Sequence, residues 1–176
     1  MGLLGVTKGK WKNAYHGTKG DFDPAEFDLG RAGKSSGHTS AAAPAMWTTA
    51  RPETANMFIA DLVQDAYPIK QYGPKGAGVK SIRASQFVDG GNIQPLRVKL
   101  DNPLVIKGAD AEKMIFGAPS LDWREAGKVF ADTVRAAKDA GHDGVIIKAN
   151  PRGSLEFRAE QYLLFDPSTQ ARSKFK

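Results

Sequence analysis

The sequence predicts a single α+β domain. Two stretches carry apolar residues at helical spacing. Several shorter stretches are apolar, β-branched or aromatic and are bounded by turn residues. The short connections between these favour antiparallel pairing, so strands outnumber helices in a mixed fold. With 176 residues, 41% of them hydrophobic and 25% charged, the chain is long and apolar enough to build one core without staples.

Taken in order, "GRAGKSSGHTSAAAP" (Gly30 to Pro44) is small, polar and without periodicity, and reads as a long surface loop of the kind that often serves function. The segment "RPETANMFIADLVQDA" opens with Pro52 and Glu53 and sets Ala55, Phe58, Ile59, Leu62 and Val63 on one helical face. The prolines and glycines of Pro68 to Gly78 mark a second loop. "PLRVKL" alternates Leu96, Val98 and Leu100 against Arg97 and Lys99, and "NPLVIKG" follows a turn-forming Asn-Pro, so both read as strands. A second helix is expected in "SLDWREAGKVFADTVRAAKDAG". Ser120 or Asp122 is its cap, Ala126, Val129, Phe130, Val134 and Ala137 face inward, and Gly141 stops it. "DGVIIKA" and "EQYLLFD" complete the strands.

Composition excludes several chemistries. The absence of cysteine rules out disulfides, thiolate metal sites and cysteine nucleophiles, and fits a reducing compartment. His16, His38 and His142 lack metal-ligand spacing, so no metal is expected. "GRAGKSSG" resembles the end of a phosphate-binding loop, but Asp28 stands where that pattern needs its first glycine. The acidic run Asp21, Asp23, Glu26, Asp28 lacks the central glycine and final glutamate of a calcium loop. No Gly-x-Ser-x-Gly is present for a serine hydrolase. No apolar run approaches the roughly 20 residues that span a bilayer, and "MGLLGVTKGK" fits neither a secretory h-region nor a myristoylation site, so a protein without membrane association is expected. The net charge is +6, with Lys8, Lys10, Lys12 at one end and Arg172, Lys174, Lys176 at the other. These read as solvated basic tails, with a polyanion partner as the alternative.

Three separated pieces, "YHGT" (Tyr15 to Thr18), "AMWTTARPETA" (Ala45 to Ala55) and "EQYLLFDPSTQARS" (Glu160 to Ser173), together resemble the ADP-ribosyltransferase superfamily. The resemblance is to its His-Tyr-Glu branch, related to poly-ADP-ribose polymerases and diphtheria toxin. Within that branch the chain looks most like the small transferase domain of phage and mobile-element polyvalent proteins. The "FD-FD" patch at Phe22, Asp23, Phe27 and Asp28, "NPLVI" at Asn102 to Ile106 and "GHDGVI" at Gly141 to Ile146 extend the match in order, from about residue 13 to 173.

The resemblance implies split antiparallel β-sheets with flanking helices around an NAD cleft, in one domain spanning residues 1–176 with basic tails. It implies NAD as co-substrate, no metal, and mono-ADP-ribosylation of an unknown protein or nucleic-acid acceptor with release of nicotinamide. It also implies a bacterial cytoplasm as the place of action, reached by phage delivery in one version. By this likeness the Gly17 backbone pairs with the nicotinamide carboxamide, His16 holds a ribose hydroxyl of the adenosine half, and Thr18 supports it. Trp47 takes the place of the ring that stacks on nicotinamide, with Thr48 beside it; a register shifted by one would put Met46 there instead. The family's catalytic glutamate is replaced by Gln161, next to Glu160. Successive strand side chains point to opposite faces, so both enter one pocket only through a bulge. Three readings therefore stand: a slow enzyme using Gln161, an enzyme using Glu160 through a shifted strand, or an inactive module that binds NAD, ADP-ribose or nucleic acid. The plain structural alternatives are a half-buried histidine ending an edge strand and a core tryptophan. Oligomeric state is not readable from the sequence.

Overall fold

A computed structural model describes residues 9–18, 23–31, 43–56, 92–116 and 123–175, with backbone alone for residues 31 and 123–126. The strands are β1 (Lys12–Thr18), β2 (Met46–Thr49), β3 (Asn92–Val98), β4 (Pro103–Ile106), β5 (Gly144–Ile147), β6 (Gln161–Leu164) and β7 (Ala171–Ser173). The helices are α1, of which residues 52–56 are described, α2 (Gly108–Phe116), α3 (Trp123–Asp139) and the single turn α4 (Pro167–Gln170).

All seven strands join one sheet in the order β4-β5-β6-β2-β1-β3-β7. The fold is thus mixed α+β. One pair departs from the expected antiparallel arrangement: β4 and β5 run parallel, Pro103 opposite Gly144 through Ile106 opposite Ile147. The reason is the connection. The α2 and α3 helices return the chain to the end from which β4 started, as a parallel pair requires.

The expected second helix is α3, and its end follows the sequence closely. Gly141 has φ 84°. The His142 amide donates to the Ala137 carbonyl at 3.1 Å and the Gly141 amide to Lys138 at 3.0 Å, a Schellman cap. Phe130, Val134 and Ala137 face inward as expected, joined by Ala131. Val129 does not: it is 51% exposed, because the stripe runs through 130, 131, 134 and 137 and leaves 129 on the outer flank. The predicted caps Ser120 and Asp122, the side chain of Ala126, and the apolar face of α1 beyond Ala55 lie outside the described residues.

The α2 helix was not predicted. It is short and opens on Gly108, and its amides at 110 and 111 turn back to the Lys107 carbonyl. Gly108 is required there because a Cβ would lie 2.3 Å from the Lys148 carbonyl oxygen.

Two cores sandwich the sheet. On one face α2 and α3 cover Ala45, Ile106, Val145, Ile147 and Leu163 with Ala111, Phe130, Ala131 and Val134. On the other, Ala14, Met46, Leu96, Val98, Ile146, Tyr162 and Leu164 form a second cluster, against which Phe27 packs. The basic ends are built into this frame. Lys12 begins β1 and Arg172 lies in β7, so neither belongs to a solvated tail.

Candidate functional site

The site candidates gather where β1, β2 and β6 lie side by side. Tyr15 stands opposite Thr49, and Thr49 opposite Gln161. Partners across antiparallel strands share a face, so this row points to the helix-covered side, as do Trp47 and Leu163. Ala14 and Tyr162 belong to the opposite cluster, and His16 lies on their side, its ring edge-on to Phe27 at 5.8 Å.

The joint between β1 and β2 is narrow. Against β3, all seven residues of β1 are paired, from Lys12 with Val98 to Thr18 with Asn92. Against β2, only Tyr15 with Thr49 is paired among the described residues. Past this point His16, Gly17 and Thr18 run on beside β2 without a backbone ladder to it. The crossing is made by a side chain: Nδ1 of His16 donates to the Trp47 carbonyl oxygen at 2.7 Å. A carbonyl can only accept, so the proton sits on Nδ1. Burial pushes the imidazole pKa down, against the smaller upward pull of the carbonyl, and the ring is neutral near pH 7.

Trp47 is half-buried, its indole tilted against Phe130 with centroids 5.5 Å apart. Met46, the alternative in the shifted register, is fully buried in the opposite cluster. Thr48 and Thr49 are buried, and their hydroxyls donate to the Tyr162 carbonyl at 3.2 Å and the Glu160 carbonyl at 3.4 Å. They tie β2 to β6. Gly17 and Thr18 are half-buried at the end of β1.

Gln161 is 1% exposed. Its Nε2 donates to the Glu156 carbonyl at 3.0 Å, while Oε1 is buried with no hydrogen-bond partner among the described residues. Glu160 takes the other face. Lys12 and Lys148 each donate to it at 2.8 Å, one to each carboxylate oxygen. Burial raises its pKa, but the hydrogen bonds from Lys12, Lys148 and Tyr162 outweigh this and hold the carboxyl at about 2. Burial and the same carboxylate push the Tyr162 phenol well above its usual range. No bulge brings the two neighbours together: β6 pairs with β2 and β5 residue for residue from Gln161 onward. Sequence reasoning missed Lys12, Lys148 and Tyr162 as partners of Glu160. Lys12 is 148 positions away, and Lys148 is adjacent only because the β5–β6 register sets Ile147 opposite Gln161.

Of the weaker candidates, Arg51 is exposed, while Ser36, His38, Thr39, Gln64 and the loop from Pro68 to Gly78 lie outside the described residues. His142 is remote from the joint, bonding through Nδ1 to the Asn102 carbonyl at 3.1 Å. Among the described residues no group of three or more His, Asp or Glu is placed to hold a metal ion, and no helix is long and apolar enough to cross a membrane.

Comparisons with protein-family models, curated proteins and solved structures give no match.

Proposed function

We propose that the chain is a slow mono-ADP-ribosyltransferase that takes NAD as co-substrate at the β1–β2 joint, with Gln161 rather than Glu160 serving the reacting ribose. The observation that carries this reading is the orphaned Oε1 of Gln161. It is a buried acceptor without a donor among the described residues, on the face that also carries Trp47. Such groups are rare in folded proteins because they cost about 1–3 kcal/mol each. A sugar hydroxyl would satisfy it.

The other residues fit the same ligand. A nicotinamide carboxamide needs one backbone donor and one acceptor, which a strand offers only where its ladder is open. Gly17 stands where β1 parts from β2, with no Cβ to block approach. The Trp47 indole offers a flat surface stiffened by Phe130. His16, neutral and held by the Trp47 carbonyl, positions rather than transfers protons. In the transfer, the bond between nicotinamide and ribose breaks, nicotinamide leaves with the electron pair, and an acceptor O–H or N–H adds to the ribose carbon and releases its proton to water. Positive charge grows on the ribose. Gln161 supplies an oriented dipole there but no full charge, which makes the enzyme slow. Glu160 is a poor substitute: its charge is already balanced by two lysines.

The test is nicotinamide release from NAD by the purified chain, with and without cell lysate. Release that disappears in His16→Ala and Gln161→Ala but persists in Glu160→Ala supports the reading. Release that depends on Glu160 instead refutes the assignment. Binding of NAD without release would make the chain a reader of NAD.

A further inference from the structure

We infer that the half of the helix-side face over β1, β3 and β7, which no helix covers among the described residues, is a binding surface for single-stranded nucleic acid. This is independent of the transferase reading.

The topology brings the two basic ends of the chain together. β3 lies between β1 and β7, and the register sets Asn13 opposite Arg97 and Arg97 opposite Arg172, in one row on one face. Trp11 and Tyr15 flank Asn13 on the same side of β1. The Arg172 guanidinium lies 4.1 Å from the centre of the Trp11 ring. None of these five side chains is buried: Trp11, Tyr15 and Arg97 are half-buried, Asn13 and Arg172 exposed. The α2 and α3 helices cover the other half of this face, and Phe27 packs on the reverse of the sheet. Lys10 and Lys174 are exposed next to the row, while the nearby acid Asp101 is 3.2 Å from Lys99.

Aromatic rings interleaved with arginines on an open sheet are what an unpaired strand of bases requires. The rings stack on base faces whatever the sequence, and the guanidiniums meet phosphates. Trp11 and Tyr15 are four residues apart, about 13 Å along an extended strand, enough for more than one base. A duplex hides its base faces and would meet only the charges. An acidic protein would likewise have no use for the rings. The stacked Trp11–Arg172 pair therefore favours single strands over either.

The experiment is fluorescence anisotropy of labelled single-stranded RNA and DNA of about twelve nucleotides, titrated with the full chain across a salt series. Binding is expected to weaken with salt, and the matching duplex to bind at least about fivefold more weakly. Arg97→Ala and Arg172→Ala should each lower the log–log salt slope by about 0.7. Tyr15→Leu should weaken binding about tenfold with the slope unchanged. Arg97→Lys and Arg172→Lys keep the charge and should keep the slope. Circular dichroism of each variant separates lost binding from lost folding. The proposal is overturned if single strands do not bind, if the duplex binds as tightly, if polyglutamate of equal charge competes as well as the oligonucleotide, or if folded Tyr15→Leu binds unchanged.

Discussion

Glu160 and Gln161 are neighbours in the chain and serve opposite faces of one sheet. Glu160 turns to Lys12, Lys148 and Tyr162, and Gln161 turns to the Glu156 carbonyl beneath the helices. The alternation of an unbulged strand separates their roles. One is an ion-paired latch across β1 and β5, the other a buried amide with one oxygen unpartnered among the described residues.

Replacing Gln161 by Met should separate stability from function. The substitution removes the buried amide oxygen at similar volume together with the hydrogen bond to the Glu156 carbonyl, so the net change in stability is within about 1 kcal/mol, or about 2–4 °C in Tm. Nicotinamide release should be lost all the same. A Tm drop of more than 10 °C would mean that the amide is structural.

Gln161→Glu should raise NAD turnover at least about tenfold, because a full negative charge replaces a dipole beside the developing positive charge. Steady-state kcat is the readout. Unchanged or lower kcat in a folded variant would place the reacting ribose elsewhere.

The Glu160 latch predicts a pH dependence of stability. The carboxyl is held at about 2 in the folded chain, below its unfolded value near 4.5. Its stabilisation is therefore present above about pH 4.5 and lost as pH falls toward 2, amounting to about 1–2 kcal/mol once solvent screening is allowed for. Denaturant melts between pH 7 and 2.5 should show that loss in the parent and a smaller one in Glu160→Gln.

His16 contributes in a higher window. Its folded pKa is lowered, so the unfolded chain binds the proton more readily. Stability from this group is present above the ordinary histidine value of 6.5 and declines as pH falls below it. His16→Ala removes that slope and, by the proposed role, weakens NAD about tenfold through loss of one hydrogen bond. Isothermal titration with NAD at pH 7.5 reads the second effect directly.

Phe130 supports both the helix-side core and the indole of Trp47. Phe130→Ala should cost about 3–5 kcal/mol. Phe130→Leu should cost less and leave Trp47 without its ring contact. A change in Trp fluorescence with little change in Tm would isolate that contact.

The sequence by itself determined the local elements. Alternation marked β3, the apolar runs marked β4, β5 and β6, and Gly141 stopped α3 where its φ required a glycine. It also marked His16, Trp47, Glu160 and Gln161 as the residues to watch. It missed α2, whose Gly108 answers to a carbonyl 40 residues later rather than to any local signal. Only the tertiary structure decided the parallel β4–β5 pair, the parting of β1 from β2 after Tyr15, and the union of the two basic ends across β3. It alone set Glu160 and Gln161 on opposite faces with their different partners. The physical reason is that periodicity is written in neighbours a few positions apart. Register and strand order instead depend on contacts between residues as distant as Lys12 and Glu160, which no local pattern encodes.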